Sequence, residues 1–210
     1  MPTVTQERER KATSDFMEAF KRRRSVYAIE SSSPISDDRI QAIVEDAMEF
    51  TPSAFNSQSS RLVLLLGPEH RRLWEMAEDV LRAVVPADSF HDTQAKMEGF
   101  RRGHGTVLFF EDQLVVERFQ SQFKAYQDRF PEWSQHTSAM HQIVLWTALE
   151  REGLGASLQH YNPLIDERVK SQWTIAQSWR LVAQMPFGKP ISMPERKPTE
   201  PLPQRLKVFA

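Results

Sequence analysis

The feature that most constrains the fold is a helix, a polar loop and an apolar strand that follow one another along one stretch of the chain. Pro34 to Phe50 repeats apolar residues every three or four positions, which predicts an amphipathic helix with Ser36 as its N-cap. Leu62 to Leu66 is apolar at every position, which predicts a strand that is covered on both faces. This order therefore indicates a sheet with helices packed against it.

Other segments extend the pattern. We predict further helices over residues 14–21, with Ser14 as N-cap, and over 70–85, 88–100, 138–151 and 165–173, and further strands over 106–110 and 179–186. Aromatic residues from Phe119 to Trp133 recur three or four positions apart, which favours helix packing. We expect a single domain over residues 1–210, with a core of about 14–186.

The last part of the chain, residues 187–210, has a different composition. It contains five prolines after Gly188, which disfavour helix and predict an extended arm. Leu206 to Phe209 alternates in the manner of an edge strand. Exchange of this tip with a second copy of the chain explains such a long arm more simply than folding back does.

Composition excludes several classes of protein. The 27 Lys and Arg residues balance 28 Asp and Glu residues, which gives no global attraction to nucleic acid or to an anionic membrane. The absence of cysteine excludes disulfides, thiol catalysis and thiolate metal sites. Residues 1–10 are polar and mixed in charge, unlike a secretory signal, and no apolar run approaches the ~20 residues that span a bilayer. We therefore expect a soluble, cytoplasmic protein.

Motifs for other chemistries are missing from the sequence. No glycine-rich phosphate motif follows a predicted strand, which disfavours a Rossmann-type dinucleotide site. No two of the six histidines are four residues apart, and no Gly-x-Ser-x-Gly elbow occurs. We therefore expect neither a metal site nor a hydrolase triad.

Two polar stretches are candidates for function. Lys21 to Arg24 is a run of four cations, which fits a phosphate clamp, a solvated face or a nucleic-acid patch. Pro52 to Arg61 is rich in hydroxyls and amides, and Asn56 and Gln58 each offer a donor and an acceptor that could meet a flat heterocycle. Local chemistry alone favours an ordinary polar loop for the second stretch, in which Ser and Asn bond to their own backbone.

Three pieces of sequence resemble one known family. Pro52-Ser53-Ala54-Phe55-Asn56-Ser57-Gln58 is similar to the segment that flavin-dependent nitroreductases place against FMN, and the strand after it resembles their first central strand. Arg23-Arg24-Ser25-Val26 is similar to the opening motif of that family, and Tyr27-Ala28 continues it as in a fungal and bacterial branch. The resemblance covers about residues 14–209.

The resemblance implies an FMN site built from separate parts of the chain. The phosphate would be held by the opening motif and by the arm: Arg22, Arg23, Arg24, Ser25, Tyr27, Arg196 and Lys197. Tyr27 stands where many members of the family carry arginine, and Arg22 would supply the phosphate contact of that arginine. The ring edge would meet the central loop of the partner subunit: Pro52, Ser53, Ala54, Asn56 and Gln58. A backbone N–H of Leu158, Gln159 or His160 would face flavin N5.

The resemblance also implies a fold and an activity. The fold would be α+β, a mixed central sheet flanked by helices, in a homodimer with an exchanged C-terminal strand and two FMN sites at the subunit boundary. Hydride would pass from NADH or NADPH through flavin N5 to a nitroaromatic, quinone or similar small-molecule acceptor, by a ping-pong mechanism without a catalytic side chain. The alternatives are a flavin-binding regulatory or stress-response protein with little turnover, and a nucleic-acid binder that uses Lys21 to Arg24.

Overall fold

The computed structural model describes residues 15–209, so the predicted N-cap Ser14 lies outside the described residues. The helices are α1 (15–22), α2 (Asp37–Phe50), α3 (Gly67–Arg82), α4 (Phe90–Arg101), α5 (Gln113–Gln122), α6 (Phe130–Arg151), α7 (Asp166–Gln172) and α8 (Leu202–Arg205). The strands are β1 (Ile29–Glu30), β2 (Ser60–Leu66), β3 (Gly105–Asp112), β4 (Gly155–Ala156) and β5 (Trp179–Pro190). Helices and strands are thus combined in an α+β fold, as expected.

One sheet organises these elements. Its strands follow the order β1-β5-β3-β2, and β4 also pairs with β5. All of these pairs are antiparallel. Within residues 15–209, the parallel component of the predicted mixed sheet is limited to an isolated bridge between Ser25 and Ala156.

The two faces of β2 pack against different helices. Leu62, Leu64 and Leu66 join a core cluster that contains residues of α2 and α6. Val63 and Leu65 join a second cluster, which contains residues of α3 and α4. This alternation confirms that the strand is covered on both faces, as its uninterrupted apolar sequence predicts.

Helix α2 directs the chain toward the candidate loop. Its N-cap is Ser36, whose side-chain oxygen accepts a hydrogen bond from the backbone N–H of Arg39, as predicted. The helix begins at Asp37 rather than at Pro34, and it ends at Phe50, where the Thr51 N–H still donates to the Ala47 carbonyl. The loop that follows is therefore tied directly to a regular helix.

Three boundaries differ from the predicted ones because proline is tolerated in the first turn of a helix. Helix α3 begins at Gly67, whose φ of +50° lets the chain turn directly into the helix, and Pro68 lies in its first turn. Pro131 lies in the first turn of α6, which begins at Phe130 instead of residue 138. Helix α8 forms one turn around Pro203 in the arm, where we expected no helix.

The arm itself begins later than predicted. Strand β5 continues to Pro190, so residues 187–190 belong to the sheet. Residues 191–209 follow it, and Leu206 to Phe209 are exposed and not paired in a strand within the described chain.

Candidate functional site

The first part of the candidate site is the exit from α1, where Arg24 caps the helix. Its Nη1 donates to the carbonyl oxygens of Lys21, Arg22 and Arg23 at 2.8, 3.1 and 2.8 Å. These carbonyls lie at the C-terminal end of the helix, where they lack helical partners and carry partial negative charge. The sequence of α1 and its capping arginine therefore fix the backbone of the opening motif.

The neighbouring arginines have different environments. The Arg23 guanidinium lies over the Trp146 ring, 4.3 Å from its centroid, and its buried Nε has no hydrogen-bond partner among the described residues. Burial, and then the charge of Arg24, lower the pKa of Arg23. The Nε of Arg22 donates to Glu150 Oε1 at 3.3 Å. Arg22 is therefore engaged with Glu150, whereas Arg23 keeps a buried Nε that has no partner among the described residues.

A cavity of about 390 Å³ lies between the opening motif after α1 and the C-terminal arm. It is lined by Arg23, Arg24, Ser25, Tyr27, Pro194, Glu195, Arg196, Lys197 and Thr199. Two basic pieces that are about 170 residues apart in the sequence thus line one space, with four cationic side chains against one carboxylate. We call these nine residues the basic corner. Guanidinium and ammonium donors beside hydroxyls fit a phosphate group.

The basic run is partly neutralised outside this cavity. Lys21 Nζ lies 2.8 Å from Glu18 Oε1, and Arg22 pairs with Glu150. Both partners of the first pair are exposed, so the pair contributes little stability. The pairing nevertheless leaves less free positive charge for a nucleic acid than the sequence alone indicates.

The second part of the candidate site is the loop of residues 52–58, which follows α2. Ala54–Asn56 forms one 3₁₀ turn. The Gln58 N–H donates to Ser53 Oγ at 3.0 Å, and Arg61 Nη1 donates to the Gln58 carbonyl at 2.8 Å. These bonds close the loop on itself and hold its end near the start of β2.

The loop also has an unusual backbone. Phe55, Asn56 and Gln58 have φ values of 56°, 51° and 51°, in the left-handed region that side chains other than glycine rarely adopt. Such conformations persist only where the surroundings enforce them, and they cluster at binding sites. The loop is therefore unlike an ordinary polar turn, although nothing in its composition indicated this.

The third part is the segment predicted to present a backbone N–H. Gln159 is buried, and its N–H donates to the Gln184 carbonyl at 2.7 Å, while the Gln184 N–H donates back at 2.9 Å. Neither Leu158 nor His160 has a partner for its backbone N–H within residues 15–209. These two residues therefore keep the free amides, and the amide of Gln159 is committed to the sheet.

In one chain, the loop and the basic corner belong to different cavities. Pro52 lines an apolar groove of about 520 Å³ between α2 and α6. Ser53 and Gln58 line a small cavity of about 100 Å³. Phe50, at the edge of the larger groove, has 71% of its surface exposed. The loop and the corner thus line separate cavities of the single chain.

Two groups beside the loop escaped the sequence-based prediction. His141 lines the small cavity from α6, and its Nδ1–H donates to the Thr137 carbonyl at 2.9 Å. Burial lowers the pKa of His141. The sequence offers no specific signal for it, because α6 carries several other buried polar residues, among them Ser134, Ser138 and Thr147.

Glu111 is the second missed group. It is fully buried at the end of β3, and its two oxygens accept hydrogen bonds from the hydroxyls of Ser59 and Ser60, each at 2.5 Å. Burial raises the pKa of its carboxyl, and the two hydroxyls offset part of that rise. This bridge holds the end of the loop against the central strand β3.

Within the described part of the chain, no helix is long and apolar enough to cross a membrane, and no group of three or more metal-ligating side chains is found. The antiparallel sheet, with helices on both of its faces, defines a layered α+β domain. Comparison with known proteins assigns it to a family.

A model of the nitroreductase family matches residues 20–189. The protein belongs to the nitroreductase family. The Saccharomyces cerevisiae protein HBN1 is 38% identical over 189 residues, which are 89% of this chain and 93% of the relative. The solved structure of the nitroreductase CinD from Lactococcus lactis in complex with nicotinic acid has a TM-score of 0.87 at 39% identity, and covers 93% of this chain and 100% of CinD.

CinD has also been solved in complex with 4-nitrophenol, with a TM-score of 0.85 at 38% identity, over 93% of this chain and 100% of CinD. A more distant protein from Exiguobacterium sibiricum, solved in complex with FMN, has a TM-score of 0.68 at 14% identity and covers 92% of this chain and 97% of that chain. At 14% identity, the likeness to the Exiguobacterium sibiricum protein shows a shared fold alone. The family match and the relatives of 38% and 39% identity confirm the family that the sequence motifs resemble.

Proposed function

We propose that the protein is an FMN-dependent oxidoreductase that transfers electrons from NADH or NADPH to nitroaromatic, quinone or similar small acceptors. The observation that carries the proposal is the basic corner, where Arg23 and Arg24 meet Arg196 and Lys197 around one cavity. The complexes of related proteins with FMN and with 4-nitrophenol support the same assignment.

The basic corner would hold the FMN phosphate. Arg23 offers a buried Nε without a partner among the described residues, and Ser25 adds a hydroxyl to the lining. Because charge-assisted hydrogen bonds are about twice as strong as neutral ones, the four cationic side chains of the basic corner would dominate cofactor affinity. Arg22 would contribute less, since its Nε is already paired with Glu150.

The loop of residues 52–58 would contact the ring edge from a second copy of the chain. The proposal of a homodimer is supported by the apolar groove between α2 and α6 and by the exposed Phe50 at its edge, because monomeric proteins seldom expose such surfaces. Pro52, Ser53, Ala54, Asn56 and Gln58 are then the residues that this copy would supply. The exposed C-terminal segment, residues 206–209, would be exchanged between the copies as a strand.

When bound, FMN would supply the two-electron chemistry, which no side chain of the protein can perform. The protein would bind the cofactor, orient it and stabilise negative charge. The N–H groups of Leu158 and His160, which have no partner among the described residues, are the candidates to donate to the ring, since the Gln159 N–H is already used. We assign no catalytic side chain, and we expect ping-pong kinetics because one face would serve donor and acceptor in turn.

The first test is the visible spectrum of the purified protein, followed by heat release and identification of the bound molecule. We expect a flavin spectrum and about one FMN per chain. Anaerobic addition of NADH or NADPH should bleach the flavin, and 4-nitrophenol or a quinone should restore it. A colourless protein that binds no added FMN would overturn the proposal. A flavin that reoxidises only slowly with every acceptor would favour a regulatory flavoprotein.

A further inference from the structure

We propose that Phe55 is a positioning residue that holds the loop of residues 52–58 in its left-handed conformation through its ring. The ring is inserted among aromatic side chains at the end of α5 and the start of α6. The backbone at Asn56 and Gln58 is thereby held in place before any ligand binds. The anchoring is independent of the proposed function, whereas its consequence for cofactor binding rests on it.

The backbone conformation at Phe55 is unusual for its residue type. Within residues 15–209, four residues other than glycine have a positive φ, namely Phe55, Asn56, Gln58 and Thr174, and three of them lie in this loop. Asparagine tolerates the left-handed region because its short polar side chain bonds locally, but a bulky aromatic residue does not. The conformation at Phe55 therefore requires a compensating interaction.

The compensation is visible in the ring contacts. The centroid of the Phe55 ring lies 4.8 Å from that of Phe123, 5.5 Å from that of Phe130 and 5.6 Å from that of Tyr126. Its plane is also nearly parallel to that of Trp133, at 19° and 5.8 Å. These separations lie in the range in which aromatic pairs attract one another beyond their burial.

The partner rings form a socket that does not depend on Phe55. Phe123 contacts Phe130 at 6.0 Å, Tyr126 contacts Trp133 at 5.9 Å, and Phe130 contacts Trp133 at 5.2 Å. Phe119 extends the socket through Phe123 and Phe130. Removing the Phe55 ring should therefore release the loop while the socket persists.

The polar restraints in the loop act elsewhere. The Asn56 N–H donates to the Ser53 carbonyl at 2.9 Å, and the Gln58 N–H donates to Ser53 Oγ. Both bonds join Ser53 to a residue after Phe55 and so close the turn. They are local bonds, which an exposed loop can exchange for water. Phe55 is half exposed as a residue, at 47%, so its role differs from that of a core residue. The packing of Phe55 is what connects the turn to the helices.

The test compares two substitutions of the same kind. Glycine adopts a positive φ without strain, so Phe55→Gly removes the ring but permits the native backbone. Thr174→Gly makes the equivalent change at the other left-handed position, outside the loop and the basic corner. Phe55→Tyr restores an aromatic ring. Each variant is prepared as the full chain, with FMN removed, and its melting temperature is measured first.

Amide hydrogen exchange of the peptide that covers residues 52–60 reads the anchoring directly, in the absence of FMN. We expect exchange to become about tenfold faster in Phe55→Gly, with little change in melting temperature, because only local opening is affected. Exchange in Thr174→Gly and Phe55→Tyr should match the wild type. Unchanged exchange in Phe55→Gly would overturn the anchoring.

The affinity for added FMN then measures whether the anchoring of the loop affects cofactor binding. We expect the dissociation constant to rise about tenfold in Phe55→Gly and to recover in Phe55→Tyr, because loop ordering must then be provided by binding. Faster exchange with an unchanged dissociation constant would overturn the positioning role. A wild-type chain that binds no FMN would overturn the proposed function and this role together, while the exchange result would still decide the anchoring.

Discussion

The basic corner and the loop of residues 52–58 illustrate two ways to prepare a binding site. The corner assembles side chains from the two ends of the chain, and the arm residues among them are exposed. The loop is local in sequence, and its shape is enforced by hydrogen bonds and by the packing of Phe55. The corner supplies charge, in part from exposed side chains of the arm, whereas the loop supplies preorganisation with no formal charge.

The largest expected effect lies in the corner. We predict that Arg196→Ala combined with Lys197→Ala weakens FMN binding about a hundredfold, because each charge-assisted hydrogen bond contributes about 1.5 kcal/mol. Both side chains are exposed in the arm, so the melting temperature without FMN should not change. Fluorescence titration with FMN measures the effect. Arg205→Ala, in the same arm but outside the cavity, is the matched control, and an equal loss there would indicate a general effect of charge.

Ionic strength should affect the contributions of the two regions to FMN binding differently. Raising salt from low to high concentration should weaken FMN binding roughly tenfold in the wild type, because exposed charges are screened beyond a few ångströms at high salt. The Arg196→Ala, Lys197→Ala variant should have a clearly flatter salt dependence. Phe55→Gly should retain the wild-type dependence at a lower affinity. Identical slopes in all three proteins would contradict the division between charge and shape.

A smaller effect is expected from the hydroxyl that closes the loop. Ser53→Ala removes the acceptor of the Gln58 N–H, and we predict about a threefold weaker affinity for FMN, since a neutral hydrogen bond contributes about 1 kcal/mol or less. Ser57→Ala is the control, because the backbone N–H of Ser57 forms the bond within the turn and survives the substitution. If both variants behave alike, the Ser53 bond does not shape the loop.

The smallest effect concerns the buried carboxyl behind the loop. Burial raises the folded-state pKa of Glu111, so the folded protein binds this proton more readily than the unfolded chain does. The free energy of unfolding should therefore decrease as pH rises from the ordinary carboxyl range through the raised pKa. Glu111→Gln should remove that slope, as measured by urea unfolding at several pH values. A slope that persists in the variant would assign the dependence to another group.

Much of the fold follows from local sequence. Ser36 caps α2, and the apolar run from Leu62 to Leu66 forms a strand with packed faces, because a period and a cap are local properties. The break between α5 and α6 was missed since the aromatic residues keep a spacing of three or four across it. Packing around Phe55, rather than one continuous helix, explains that spacing.

The sequence supplies candidate residues for the site, whereas the geometry of the site depends on the fold. The two basic pieces were matched by resemblance, and the fold places them around one cavity. The positive φ of Phe55 has no signature in residue type, because the residue that adopts it normally avoids it. Likewise, only the pairing of Gln159 with Gln184 reveals which amide in that segment is committed.

The position of β5 in the chain has a consequence for the synthesis of the protein on the ribosome. This strand pairs with β1, β3 and β4, yet it begins only at Trp179. Until β5 has been synthesised, β2 and β3 form an isolated antiparallel pair. The edge of β3 that later pairs with β5 then has no neighbouring strand. We therefore expect nascent chains that stop before residue 179 to remain unable to close the sheet and to depend on chaperones, since the strand that pairs with β1, β3 and β4 is synthesised after all three.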